Sequence, residues 1–267
     1  MCGRFTLRAT PEEVASHFRL LQVPEFSPRY NIAPGQMVGV VRHWRAELDT
    51  GQPIPEMNAA FRKPATDAVG GDTEAPVKRE WAWVKWGLVP HWAEDPSGGN
   101  RLINARAETV STRPAFRTAA RHRRCLIPAD GFYEWKASPS GKQAYFVRLR
   151  GDKLFALAGL WDQWHSPTGE ILETCTILTV DPNPLVARFH NRMPLILPPE
   201  AYDLWLNPAI VQFDKLRDWI RPYPDEEMEV VAVSSYVNSI RHEGPRCIEP
   251  ATGGGTFFEG DSSSFKG

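Results

Sequence analysis

The chain has 267 residues, 42% of them hydrophobic, ten tryptophans and a formal net charge of −1. That is enough apolar mass for a sizeable core. There is no run of 18 apolar residues to span a membrane and no apolar signal-peptide stretch at the start. Its cysteines stand at positions 2, 125, 175 and 247 with no paired spacing, which excludes a zinc or disulfide framework of the usual kind, and the near-zero net charge gives no global support to nucleic-acid binding. The chain is expected in the cytoplasm with reduced thiols, off any membrane and without a metal site.

Residues 2–8 alternate as a strand, with Phe5 and Leu7 on one face. Cys2 follows the initiator methionine directly, and a small second residue favours removal of Met1. The product carries an α-amine of pKa about 7.7–8.0 and a thiol of about 8.5 on a single residue. Such a 1,2-aminothiol condenses with an aldehyde to an imine and then closes a five-membered thiazolidine. It is equally a candidate N-terminal nucleophile for amide hydrolysis. As an ordinary small residue beside a strand it does neither.

Thr10, Pro11 and Glu13 form a helix start, with Thr10 as N-cap, Pro11 at the first helical position and Glu13 completing a capping box. Val14, Ala15, Phe18 and Leu21 supply its apolar face. Residues 30–35, Tyr-Asn-Ile-Ala-Pro-Gly, form a rigid turn before a short apolar strand over 37–41. Residues 45–78 are rich in Pro and Gly without sustained periodicity and are predicted as a loop insertion. A strand over 81–86 runs into Trp86-Gly87-Leu88-Val89-Pro90-His91-Trp92 and a flexible loop at 95–99.

Residues 101–124 carry Arg101, Arg106, Arg113, Arg117, Arg121, Arg123 and Arg124 against one acid, Glu108. A solvated helix face accounts for such a run. All seven cations are Arg, however, which suits bidentate phosphate contacts, and a neutral protein with one Arg-rich face can bind a phosphate backbone. Strands are predicted over 124–128, 131–136, 143–149, 154–160, 172–180 and 229–234. Helices are predicted from about Pro199, burying Tyr202, Leu204 and Trp205, and over 213–220. Helices and strands do not alternate, so the expected fold is α+β: a curled, largely antiparallel, barrel-like sheet with peripheral helices. One domain over 1–250 and a disordered Gly/Ser-rich tail over 251–267 complete the reading.

Three further residues stand out. Asn104 lies in Asn-Ala-Arg-Ala-Glu-Thr over 104–109, Glu134 in Gly-Phe-Tyr-Glu-Trp over 131–135, and His190 in His-Asn-Arg-Met-Pro over 190–194. A carboxylate among aromatics has its pKa raised by desolvation, which suits an acid or base, and a histidine is the natural second proton shuttle. Each also has a structural reading: Glu134 pairing with an arginine, His190 as a hydrogen-bonded loop residue, Asn104 as a helix cap.

Taken in order, Met1-Cys2-Gly3-Arg4-Phe5, Asn31-Ile32-Ala33-Pro34, Trp86-Gly87-Leu88-Val89-Pro90 and the three segments around Asn104, Glu134 and His190 resemble the SRAP (SOS response-associated peptidase) family. Val233-Ser234, Val237-Asn238 and Ile248-Glu249-Pro250 fit the family's end. The resemblance covers roughly residues 1–250. The departures, at 45–78 and after Pro250, touch no motif. It implies a monomeric sensor of abasic sites in single-stranded DNA, working in the SOS response, nucleoid-associated when bound and needing no cofactor. The residue matching Cys2 is joined to the ring-opened sugar through a thiazolidine, with autopeptidase and abasic-site lyase activities as companions. On this reading Glu134 is the acid/base for sugar opening and imine formation, His190 shuttles protons and Asn104 orients Cys2. Arg4, Arg106 and Arg192 would hold phosphates, while Trp86 and Pro34 would stack on or wedge between bases. The rival readings are an N-terminal-nucleophile amidotransferase, a peptidase acting on other proteins, and a non-catalytic single-strand binding module.

Overall fold

The computed structural model describes residues 2–44, 77–138, 141–251 and 256–257. In chain order the elements are β1 (Phe5–Leu7), α1 (Pro11–Phe18), β2 (Arg29–Ile32), β3 (Met37–His43), β4 (Arg79–Trp86), β5 (Asn104–Arg106), α2 (Arg117–His122), β6 (Arg124–Ala129), β7 (Gly131–Ser138), β8 (Gly141–Leu149), β9 (Phe155–His165), β10 (Ile171–Val180), β11 (Met193–Pro194), β12 (Ile196–Leu197), α3 (Tyr202–Leu206), β13 (Met228–Val233) and β14 (Thr256–Phe257).

Five strands close on themselves. β10 pairs with β4, β4 with β3, β3 with β6, β6 with β9, and β9 returns to β10 over Ile171–Ile177. The β4–β10 and β5–β10 pairings are parallel and the others around the ring antiparallel, so the barrel is mixed. A second, wholly antiparallel sheet runs β14-β13-β8-β7-β1-β2. One hydrophobic cluster draws side chains from both sheets, including Phe5 and Phe132 from the open sheet and Val40, Leu126 and Ile177 from the barrel. This is the expected α+β architecture with few helices, and most strands fall on the predicted segments.

The elements form for local reasons that the side chains make explicit. At α1 the Thr10 hydroxyl accepts from Glu13 N at 3.2 Å and the Glu13 carboxylate accepts from Thr10 N at 2.7 Å, completing the capping box. Arg19, in the left-handed region at φ 51°, ends the helix. That stop leaves Leu21 beyond the helix and 59% exposed, so it is no part of the apolar face. Gly39 lies under the indole of Trp81, where a Cβ would stand 1.7 Å from the ring, so only glycine lets this aromatic cover the β3–β4 pair.

Several boundaries differ from expectation. The first strand begins at Phe5, leaving Cys2, Gly3 and Arg4 ahead of it. Residues 213–219 form a 3-10 helix, not an α-helix. Leu204 points outward at 37% exposure while Trp205 is buried. Thr256 and Phe257, in the segment expected to be disordered, pair with β13 as an edge strand. Most of the 45–78 insertion lies outside the described residues.

Candidate functional site

The site forms where the start of the chain meets both sheets. Asp130 is buried at the β6–β7 corner and accepts from the Thr6 hydroxyl at 2.5 Å, from Arg8 Nε at 2.9 Å, from Ala9 N at 3.0 Å and from Arg8 N. These bonds hold the N-terminal strand against β7, with Phe5 opposite Phe132. Tyr133 N donates to Arg4 O at 3.0 Å and so extends the pairing beyond β1 toward Cys2. Continued one step, that register sets Glu134 beside Gly3, next to the cysteine. From the barrel side, Asn104 Nδ2 donates to Cys2 O at 2.9 Å across 102 residues of sequence. Asn104 Oδ1 is buried and accepts no hydrogen bond among the described residues.

Two expected residues, Asn104 and Glu134, therefore converge on the chain start from separate elements. Cys2 is fully buried with its sulfur 3.9 Å from Arg4 O. Burial, and secondly the charge of Glu134, push its thiol well above the ordinary cysteine range, so it is protonated at neutral pH. Burial raises the Glu134 carboxyl to about 7, with the positive amino terminus opposing the shift. That places its titration at the working pH of an acid/base group. His190 is half-buried on the loop between β10 and β11. Its Nδ1 accepts from Arg192 N at 2.9 Å, which leaves the proton of the neutral ring on Nε2. Burial, then the charge of the amino terminus, lowers its pKa.

The expected DNA-contacting residues divide. Arg106 is exposed and lies two residues after Asn104 on β5, hence on the same side of that strand, with Ala105 buried behind. Pro34 is half-buried on a turn fixed by Gly35 N donating to Trp86 O at 2.8 Å and Trp86 N to Gln36 O at 2.9 Å. Arg4 Nη1 donates to Asn31 Oδ1 at 2.6 Å and to Val237 O at 3.0 Å, and the guanidinium lies over Trp135. Its charge has no carboxylate partner among the described residues.

Two of these residues are corrected. Trp86 is wholly buried, its ring edge-on to Phe5 at 5.3 Å and its indole N–H donating to Ile103 O at 2.8 Å. A ring with no exposed face cannot stack on a base. It instead ties the Cys2 strand to the residue preceding Asn104. Arg192 is 7% exposed, bonded to Glu108 at 2.8 Å, to Asp181 at 2.7 Å and to Thr179 O at 2.6 Å. Its guanidinium is buried and already paired with the surface carboxylates of Glu108 and Asp181, so it presents no free cation to a phosphate. The arginine run divides in the same way. Arg124 is buried and donates to the carbonyls of Trp205, Ala120, Arg121 and Asn207, and Arg123 pairs with Asp162, whereas Arg101, Arg106, Arg113, Arg117 and Arg121 are exposed.

Sequence reasoning missed Trp92, which is 56% exposed on the turn after β4 and is the outward indole of the Trp86–Trp92 stretch. It also missed Asn31, buried at 1%, whose Nδ2 donates to Ser239 O and His242 O and so fastens the C-terminal segment beside Arg4. Its place in Asn31-Ile32-Ala33-Pro34 was the available signal.

A mixed barrel and an antiparallel sheet meet at the second residue of the chain, a buried cysteine flanked by an ionisable carboxylate from one sheet and an amide from the other. The SOS response associated peptidase (SRAP) family model matches residues 1–240, and the chain belongs to that family. Abasic site processing protein YoqW of Bacillus subtilis is 37% identical over 253 residues, which cover 93% of this chain and 99% of that protein. Abasic site processing protein HMCES of Gallus gallus is 36% identical over 191 residues, covering 62% of this chain and 56% of that protein. A crystal structure of a Bacteroides thetaiotaomicron protein shares the fold, with a TM-score of 0.73 at 21% identity over 94% of this chain and all of that one.

Proposed function

We propose that this protein processes abasic sites in single-stranded DNA by capturing the lesion on Cys2 once Met1 has been removed. The observation that carries the reading is the convergence on Cys2: Asn104 bonded to its carbonyl, and Glu134, held near neutrality by burial, acting electrostatically on its thiol. The names of the relatives point the same way.

The abasic sugar is mostly a closed hemiacetal. Glu134 in its protonated form gives a proton to the ring oxygen and, as the carboxylate, takes the hydroxyl proton at C1′, opening the ring to the aldehyde. The Cys2 amine attacks that aldehyde, and loss of one water leaves the imine. The Cys2 thiol then adds across the imine carbon, its proton passes to nitrogen, and the thiazolidine closes. A thiol that stays protonated until the imine forms avoids competing thiolate chemistry and suits this order of steps. His190 moves protons at the imine and at the sugar hydroxyl, and Asn104 holds the Cys2 backbone in place. Arg106 and the exposed arginines beside it hold the phosphates, while Pro34 and Trp92 meet bases. Proton abstraction next to the imine gives a lyase side reaction, and self-removal of an N-terminal extension gives the peptidase activity of the family's description. The protein acts as a monomer in the damage response.

The test incubates processed protein with a single-stranded abasic oligonucleotide. A heat-stable adduct mapping to residue 2, absent in Cys2→Ala and in protein with a blocked α-amine, is expected. Full activity with the amine permanently blocked would exclude the thiazolidine route, and glutaminase turnover or cleavage of a separate protein would favour an amide hydrolase.

A further inference from the structure

Glu134 and His190 belong to different halves of the molecule. Glu134 stands on β7 of the open sheet, and His190 on a loop of the barrel. Directly across from Glu134 on β8 is Tyr145. Cross-strand partners project from one face with Cβ atoms about 4.5–5.5 Å apart, so the Tyr145 ring borders the carboxylate. The residue before His190 is Phe189, and the Tyr145 and Phe189 ring centroids are 4.4 Å apart at 42°. Both rings are half-buried. On its other flank the His190 loop is anchored by Arg192, whose guanidinium is held by Glu108, Asp181 and Thr179 O. One flank is therefore fixed to the barrel by ion pairs, and the other reaches the open sheet through a ring contact.

We propose that Tyr145 and Phe189 are positioning residues that clasp the His190 loop onto the Glu134 strand, so that the two proton-transfer groups converge on one reacting atom. The catalytic meaning of this clasp rests on the function proposed above. The clasp itself is a property of the fold. The same rings shield both groups from water, in keeping with burial as the leading cause of the raised Glu134 and lowered His190 pKa values. The groups acting on the two are the Cys2 thiol and the Met1 amino terminus at Glu134, and the Met1 amino terminus and the Arg192 N–H at His190.

The experiment compares wild type with Phe189→Leu, Tyr145→Leu and the ring-preserving Tyr145→Phe. The His190 imidazole is titrated by NMR without DNA, and single-turnover adduct formation is followed at saturating single-stranded abasic DNA across pH. Both leucine variants are expected to move the His190 pKa up toward its ordinary value of about 6.5. They should slow adduct formation roughly 10–100-fold, the scale of a small misplacement, while leaving affinity for intact single-stranded DNA unchanged. Tyr145→Phe should retain the wild-type titration and most of the rate. An unmoved His190 titration in Phe189→Leu, a change on a half-exposed loop that does not threaten folding, overturns the proposal. So does a rate loss that Tyr145→Phe shares in full, because the hydroxyl and not the ring contact would then be at work. If wild type itself forms no adduct, the proposed function falls, and the DNA-free titration still decides the clasp.

Discussion

Residues 86–124 hold two versions of the same side chains. Trp86 and Arg124 point inward and are consumed by the scaffold. Trp92 and Arg106, within the same stretch, point outward and are available. Trp86 gives its indole N–H to Ile103 O and its ring to Phe5, and Arg124 gives its donors to four carbonyls. Residue type therefore does not separate the buried scaffold from the exposed surface. What separates them is whether the hydrogen-bonding groups have already been answered from within.

Breaking the inward members should cost stability. Trp86→Ala is expected to destabilise by about 3–5 kcal/mol in chemical denaturation, and Trp92→Ala by no more than about 0.5 kcal/mol. Equal effects of the two would abolish the distinction. Trp92→Ala should instead weaken single-strand binding by about 1–3 kcal/mol, the worth of one stacked base. Arg124→Leu removes a donor from four carbonyls, of which Asn207 O keeps Ile210 N, and should lose roughly 2–4 kcal/mol of stability with the salt dependence of DNA binding unchanged.

Glu134 sharpens the comparison, because it is buried like the scaffold yet retains a proton to exchange. Its folded pKa of about 7 exceeds the unfolded value near 4.5, so the folded state binds the extra proton. Stability from this group is thus present below about pH 4.5 and falls as pH rises toward 7, then levels off. Glu134→Gln should stabilise the protein at pH 8 by roughly 1–3 kcal/mol and make no difference at pH 4, while slowing adduct formation about 10²–10⁴-fold. A variant less stable than wild type at pH 8 would contradict the raised pKa. The smallest effect belongs to Arg106→Ala, which should leave the melting temperature alone and flatten the log affinity–log salt slope by about 0.7, one phosphate contact. An unchanged slope removes Arg106 from the DNA surface.

What the linear sequence settled lies within one turn or one pleat. Thr10, Pro11 and Glu13 start α1 because their reciprocal bonds span three residues. The alternation over 81–86 specifies a strand because side chains on a strand repeat every two residues. Cys2, Asn104, Glu134 and His190 could be singled out because each residue type brings its own chemistry and a distinctive neighbourhood. Only the tertiary structure decided the rest. The parallel β4–β10 pairing and the β6–β9 pairing join segments far apart in the chain, which no local period encodes. Trp86 and Trp92 look alike in the sequence, as do Arg106 and Arg124. Their fates were set by partners such as Ile103, Trp205 and Asn207, because burial and hydrogen-bond satisfaction belong to the packed environment and not to the residue.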